Sequence, residues 1–141
     1  MTLVVDAAAI VAMHDRRDPM GGPVEQVLRE EPGYLVLPAP VTTEVDYLLA
    51  RRGGPSARRP FLDNLAAGRY RVECLDQEDY RRVAALEDTY SDLGVGLADL
   101  SIVVLASRFG TTRIATFDER HFRALRPLDG GAFTLLPHDR S

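Results

Sequence analysis

From Leu97 to Ser107 the chain carries a single charge, Asp99, and the next charged residue is Arg108. A run of this length exceeds the usual buried strand, and Gly94 and Gly96 punctuate its approach. It therefore reads as a helix. A helix that is apolar on nearly every side belongs in the middle of a domain. Its one carboxylate falls in the first turn, where aspartate either caps the helix or forms one wall of an acidic site.

The rest of the chain supplies the layers around that helix. Leu3-Val4-Val5 reads as a buried strand ending at Asp6, followed by a helix from Ala7 to Met13. After the polar break at Arg16-Arg17-Asp18-Pro19 and Gly21-Gly22-Pro23, Val24 to Glu31 reads as a short amphipathic helix. Tyr34 to Leu37 is a second strand, and Pro40 sits in the first turn of a helix reaching about Arg52, a position proline tolerates. Ser56 to Ala67 is helical, Tyr70 to Leu75 a third strand and Glu78 to Tyr90 a helix capped by Asp76. Arg113 to Thr116, Asp118 to Leu125 and Phe133 to Leu136 read as strand, short helix and strand. This alternation predicts an α/β three-layer sandwich, with a mainly parallel central β-sheet flanked by helices.

A chain of 141 residues with no linker or repeat predicts one domain over residues 1–141. No apolar run reaches the length of a membrane span, and the N-terminus has no signal-peptide pattern, so a cytoplasmic protein is expected. Cys74 is the only cysteine, which excludes an internal disulfide and a thiolate-rich zinc site. It is expected to pack in the core as a strand residue. His14, His121 and His138 lack paired ligand spacing. All 17 cationic residues are arginine, so lysine chemistry is excluded and phosphate contacts must come from guanidinium groups.

Sites in parallel sheets form at the carboxyl ends of strands. Asp6 ends the first strand, Asp118 follows the fourth, and Asp99 opens the apolar helix. Each is also a plausible N-cap. Glu44 lies three residues after Val41 and four before Leu48, which places it on or beside an apolar helix face. A buried carboxylate there needs a partner: an arginine at the core edge or a site. Asp46, Glu31, Asp15, Asp18, Glu30, Asp63, Glu87, Asp88 and Asp92 read as solvated. Two unit charges about 4 Å apart repel by roughly 4 kcal/mol at an effective dielectric near 20. A cluster of four acids is therefore tolerable only with retained protons or a divalent cation, and hard oxygen ligands select Mg²⁺ or Mn²⁺.

Asp6 after an apolar strand, Glu44 in Pro40-Val41-Thr42-Thr43-Glu44-Val45, Asp99 in Gly96-Leu97-Ala98-Asp99 and Asp118 in Ala115-Thr116-Phe117-Asp118-Glu119-Arg120-His121-Phe122 resemble the PIN domain. They are similar in particular to the VapC-type toxins of VapBC toxin–antitoxin pairs. The resemblance implies a Mg²⁺- or Mn²⁺-dependent endoribonuclease, a homodimer, and inhibition by a cognate VapB-type antitoxin. It implies that Asp6 and Asp99 are the main metal ligands, with Glu44 and Asp118 completing the catalytic acids. Many relatives carry a hydroxyl just after the first acid, where this chain has Ala7 and Ala8. Thr116 keeps a hydroxyl that can orient a ligand or water, or is simply a β-branched strand residue. His121 is either a general base or a structural residue.

RNA must be held despite a net charge of -4. Candidate contacts are Arg16, Arg17, Arg51 and Arg52, with Arg58-Arg59 as a further pair; each is otherwise a solvated helix end. Phe61, Leu62 and Leu65 form an apolar stripe that suits a dimer or antitoxin surface. A receiver domain needs a lysine, and a haloacid-dehalogenase-like phosphatase needs a second aspartate where Ala8 stands. The remaining alternative is a weak or inactive PIN-fold protein serving as a protein- or RNA-binding module.

Overall fold

The computed structural model describes residues 2–140. Strand β1 (Leu3–Val5) is buried at every position, as an interior strand covered on both faces must be. It pairs in parallel with β2 (Leu35–Pro38) on one side and β4 (Arg113–Ala115) on the other. β3 (Arg71–Glu73) adds to β2, and β5 (Thr134–Leu136) adds to β4, again in parallel. The order β3-β2-β1-β4-β5 confirms the parallel sheet flanked by helices. The chain winds outward from β1 to β3, then returns to the other side of β1 for β4. The crevice between the ends of β1 and β4 is thus the switch point at which such sheets place ligands.

Helix α1 (Ala7–His14) follows β1, and α2 (Gly21–Glu30) begins earlier than Val24, taking in the glycines of the predicted break. A Cβ on Gly21 would lie 2.6 Å from the Ala12 carbonyl oxygen, so only glycine lets α2 approach α1 this closely. Helix α3 (Ala39–Gly53) has a proline in its first turn and buries Val41, Val45 and Leu49. The stretch read as one helix from Ser56 is a 3₁₀ turn over Pro55–Arg58 leading into α4 (Arg59–Ala66). Phe61 of α4 is fully buried and Leu65 packs partly against the core, while Leu62 stays exposed.

Helix α5 (Gln77–Thr89) opens with the expected Asp76 cap, closed into a capping box by Asp79. A 3₁₀ turn at Ser91–Leu93 then leads to α6 (Leu97–Arg108), the predicted apolar helix, in which every residue from Leu100 to Ala106 is buried. Helix α7 (Glu119–Ala124) follows β4. Among the described residues no helix is long and apolar enough to cross a membrane. Cys74 is exposed because β3 is a short edge strand that stops one residue before it; the expectation of a core cysteine is corrected.

Candidate active site

The β1–β4 crevice gathers the four predicted acids from four elements. Asp6 lies just past β1 and caps α1, with its Oδ1 accepting from the Ala7 N–H at 2.8 Å. Its backbone N–H donates to the Ala115 carbonyl at 2.9 Å, which continues the β1–β4 ladder. Its Oδ2 accepts from the Thr116 hydroxyl at 2.7 Å. Thr116 Oγ1 in turn accepts from the Asp118 N–H at 3.0 Å. Thr116 is fully buried and is therefore more than a β-branched strand residue: one hydroxyl orients both the first and the fourth acid. It supplies, from the neighbouring strand, the polar contact that Ala7 and Ala8 cannot.

Asp118 caps α7, with Oδ1 accepting from the His121 N–H at 3.1 Å and Oδ2 lying 2.7 Å from His121 Nδ1. Asp99 is not the cap of α6. Gly96 holds that position, and Asp99 sits three residues further into the first turn, anchored by the buried body of its helix. Its Oδ2 lies 3.9 Å from His121 Nδ1. Glu44 corrects the expectation of a burial-driven carboxylate: α3 turns Val41, Val45 and Leu49 inward and leaves Glu44 exposed at the rim.

The electrostatics tie the four together. Burial, then the Asp99 and Asp118 charges, push the Asp6 carboxyl up to about 6 against the pull of its hydrogen bonds. Asp99 is raised by burial and by the charges of Asp118 and Glu44, while His121 acts in the opposite direction. Glu44, although exposed at the rim, is raised by partial desolvation and then by the Asp6 charge. The mutual repulsion thus runs through all four groups. Among the described residues no arginine forms an ion pair with any of them, although arginines pair with many other acids. A hard-oxygen pocket with uncompensated negative charge fits a divalent cation. Ligand atoms of Asp99, Asp118 and His121 all lie within 4.8 Å of one another, a spacing that could hold a metal ion.

Two acids outside the crevice show the contrast. Asp46, read as solvated, pairs with Arg58. Glu31, also read as solvated, is buried against Arg113 across 82 residues of sequence. The predicted arginines divide in the same way. Arg58 and Arg59 are engaged by Asp46 and Asp63, and Arg51 donates to the Tyr47 hydroxyl at 3.0 Å. Arg16 and Arg52, with Arg17, whose Nε lies 3.3 Å from Asp15 Oδ1, line a cavity of about 310 Å³ with Val11 and Leu49, at the far end of the α1 and α3 helices. Helical rise puts this cavity about 12 Å along α1 from Asp6. Leu93, whose carbonyl oxygen lies 3.2 Å from His121 Nε2, carried no signal in the sequence because a backbone acceptor has no residue signature.

Residues 3–126 match the family model described as PIN domain. The chain is 36% identical over 135 residues to Ribonuclease VapC26 of Mycobacterium tuberculosis, covering 96% of this chain and all of that protein. Among solved structures it is similar to Mycobacterium tuberculosis VapC20, described as a sarcin–ricin loop cleaving toxin. The TM-score is 0.75 at 18% identity, over 82% of this chain and 89% of that one. It is also similar to VapBC2 from Rickettsia felis, solved bound to a DNA fragment from its promoter, with a TM-score of 0.70 at 14% identity, over 96% and 98% of the two chains. These likenesses in structure speak for the fold, and the family match with the sequence kinship speaks for descent: the chain belongs to the PIN domain family, among its VapC-type members.

Proposed function

We propose that the protein is a Mg²⁺- or Mn²⁺-dependent endoribonuclease toxin that hydrolyses RNA phosphodiester bonds. The observation that carries this reading is the convergence of Asp6, Glu44, Asp99 and Asp118 in one crevice with no arginine to neutralise them. Kinship with Ribonuclease VapC26 supports the same activity. Asp6 and Asp99 hold the cation, with Asp118 and Glu44 binding it directly or through water. When bound, the cation supplies an activated water and stabilises charge on the phosphate oxygens.

The chain's own residues do the positioning. Thr116 and the Ala7 N–H fix the two Asp6 oxygens and so hold this carboxylate in one orientation. Helix α6 fixes Asp99 by burying the seven residues that follow it. Arg16, Arg17 and Arg52 contact RNA phosphates beyond the scissile bond, with Arg51 beside them. A cognate VapB-type antitoxin neutralises the protein, which acts as a cytoplasmic homodimer of single-domain chains. The non-cleaving alternative rests on Ala7 and Ala8, and the Thr116 hydroxyl on Asp6 speaks against it.

The test uses antitoxin-free protein and a mixed RNA pool. Cleavage is expected with Mg²⁺ or Mn²⁺ and is abolished by a chelator and by Asp99→Asn. Folded protein that cuts no RNA under these conditions contradicts the reading.

A further inference from the structure

His121 sits at the meeting point of two segments that carry acids. Its backbone lies in the first turn of α7, capped by Asp118, and its ring crosses to the 3₁₀ turn before α6. Nδ1 lies 2.7 Å from Asp118 Oδ2 and Nε2 lies 3.2 Å from the Leu93 carbonyl oxygen. From Leu93 the chain passes through Gly94, at φ 68°, to Gly96, the N-cap of α6. The ring therefore spans from the fourth acid to the segment that delivers Asp99.

We propose that His121 is a positioning residue: its ring ties Asp118 to the Leu93 carbonyl and so sets the separation of Asp118 from Asp99. This rests on reading the acids as a cation site. The geometry disfavours the two simpler roles. Two ligands at right angles on a Mg²⁺ ion, each about 2.1 Å away, lie about 3.0 Å apart. Nδ1 and Asp118 Oδ2, at 2.7 Å, are closer than that and match a hydrogen bond instead. Magnesium and manganese also prefer oxygen to imidazole nitrogen. A general base needs a ring nitrogen turned towards the attacking water, but both nitrogens face protein oxygens. Without the ring, the Asp118 carboxylate keeps only the His121 backbone N–H, and nothing bridges it to the approach of α6. Bridges of this kind orient metal ligands, and their loss weakens metal binding about 10–100-fold.

The experiment measures Mn²⁺ affinity by electron paramagnetic resonance on antitoxin-free protein, alongside RNA cleavage at saturating Mn²⁺ and circular dichroism to establish folding. His121→Ala and His121→Gln are expected to weaken Mn²⁺ binding about 10–100-fold. His121→Asn, whose amide nitrogen falls near Nδ1 and reaches Asp118 but not the Leu93 carbonyl, recovers only part of that loss. In all three, kcat at saturating Mn²⁺ stays within about tenfold of the parent. Unchanged Mn²⁺ affinity in His121→Ala overturns the proposal. Full recovery of affinity in Asn shows that the Leu93 tie is not needed, and a kcat collapse at saturating metal with unchanged affinity points to general base catalysis; either result overturns it. Parent protein that binds no Mn²⁺ defeats the cation-site reading itself, and the positioning role with it.

Discussion

Asp6 and Asp79 are almost equally buried, at 5% and 3% exposure, yet they sit in opposite surroundings. Asp79 lies at the start of α5, where it completes the capping box with Asp76 and pairs with Arg108 and Arg82. Arg108 also reaches the Cys74 carbonyl at 3.1 Å and lies 3.8 Å from Glu73, so one guanidinium ties α6 to α5 and the edge of the sheet. Asp6 has a hydroxyl, a backbone N–H and two like-charged neighbours. Burial alone does not make an acid functional. The proposed cation ligand is the buried carboxylate that the fold leaves without an arginine.

The largest effect is expected from exchanging acids between the two regions. Asp99→Asn removes a proposed cation ligand and lowers RNA cleavage more than about 100-fold, beyond the loss typical of outer contacts. Asp79→Asn leaves cleavage per folded molecule close to the parent. Equal losses in the two variants, measured on a quenched fluorescent RNA, break the comparison.

The stability responses should run the other way. Arg108→Ala leaves the Asp79 carboxylate with Arg82 alone, and urea unfolding should show a loss of about 2–3 kcal/mol. Asp6→Asn should stabilise the metal-free protein. The folded Asp6 carboxyl is raised from 3.8 to about 6, so folding favours its protonated form. The stability this group contributes is complete below about pH 4 and is lost as pH rises through about 6. The gain from Asp6→Asn is therefore absent near pH 4 and grows to at most about 3 kcal/mol at pH 8, from about 1.4 kcal/mol for each pKa unit. A Tm difference that does not depend on pH contradicts the assigned burial and repulsion. The smallest effect belongs to Arg52→Ala, which should weaken RNA binding a few-fold, uniformly across sequences, and lower the salt slope by about 1.

Much of this architecture was legible in the residues. The α6 apolar run is so continuous that only an interior helix accommodates it, and the strand–helix alternation leaves a parallel sheet as the natural outcome. The order of acids at strand ends located the crevice, because parallel sheets open there. What escaped depends on distant partners. Glu31 looks like a loop acid until Arg113, 82 residues away, is folded against it. Cys74 looks like a strand residue until β3 proves to be a short edge. Glu44 has the spacing of a core position, yet the rotation of α3 leaves it at the rim. Thr116 fits any strand, and only the pairing of β1 with β4 brings its hydroxyl to Asp6.

The central claim is that the four acids converging in the crevice, without arginine partners, form a divalent cation site. Its most direct test is a Mn²⁺ titration followed by electron paramagnetic resonance at pH 7.5 on the parent, Asp99→Asn and Asp79→Asn proteins, without RNA. The account predicts saturable binding to the parent and to Asp79→Asn, and none to Asp99→Asn. Binding that survives Asp99→Asn, or is absent from the parent, contradicts it.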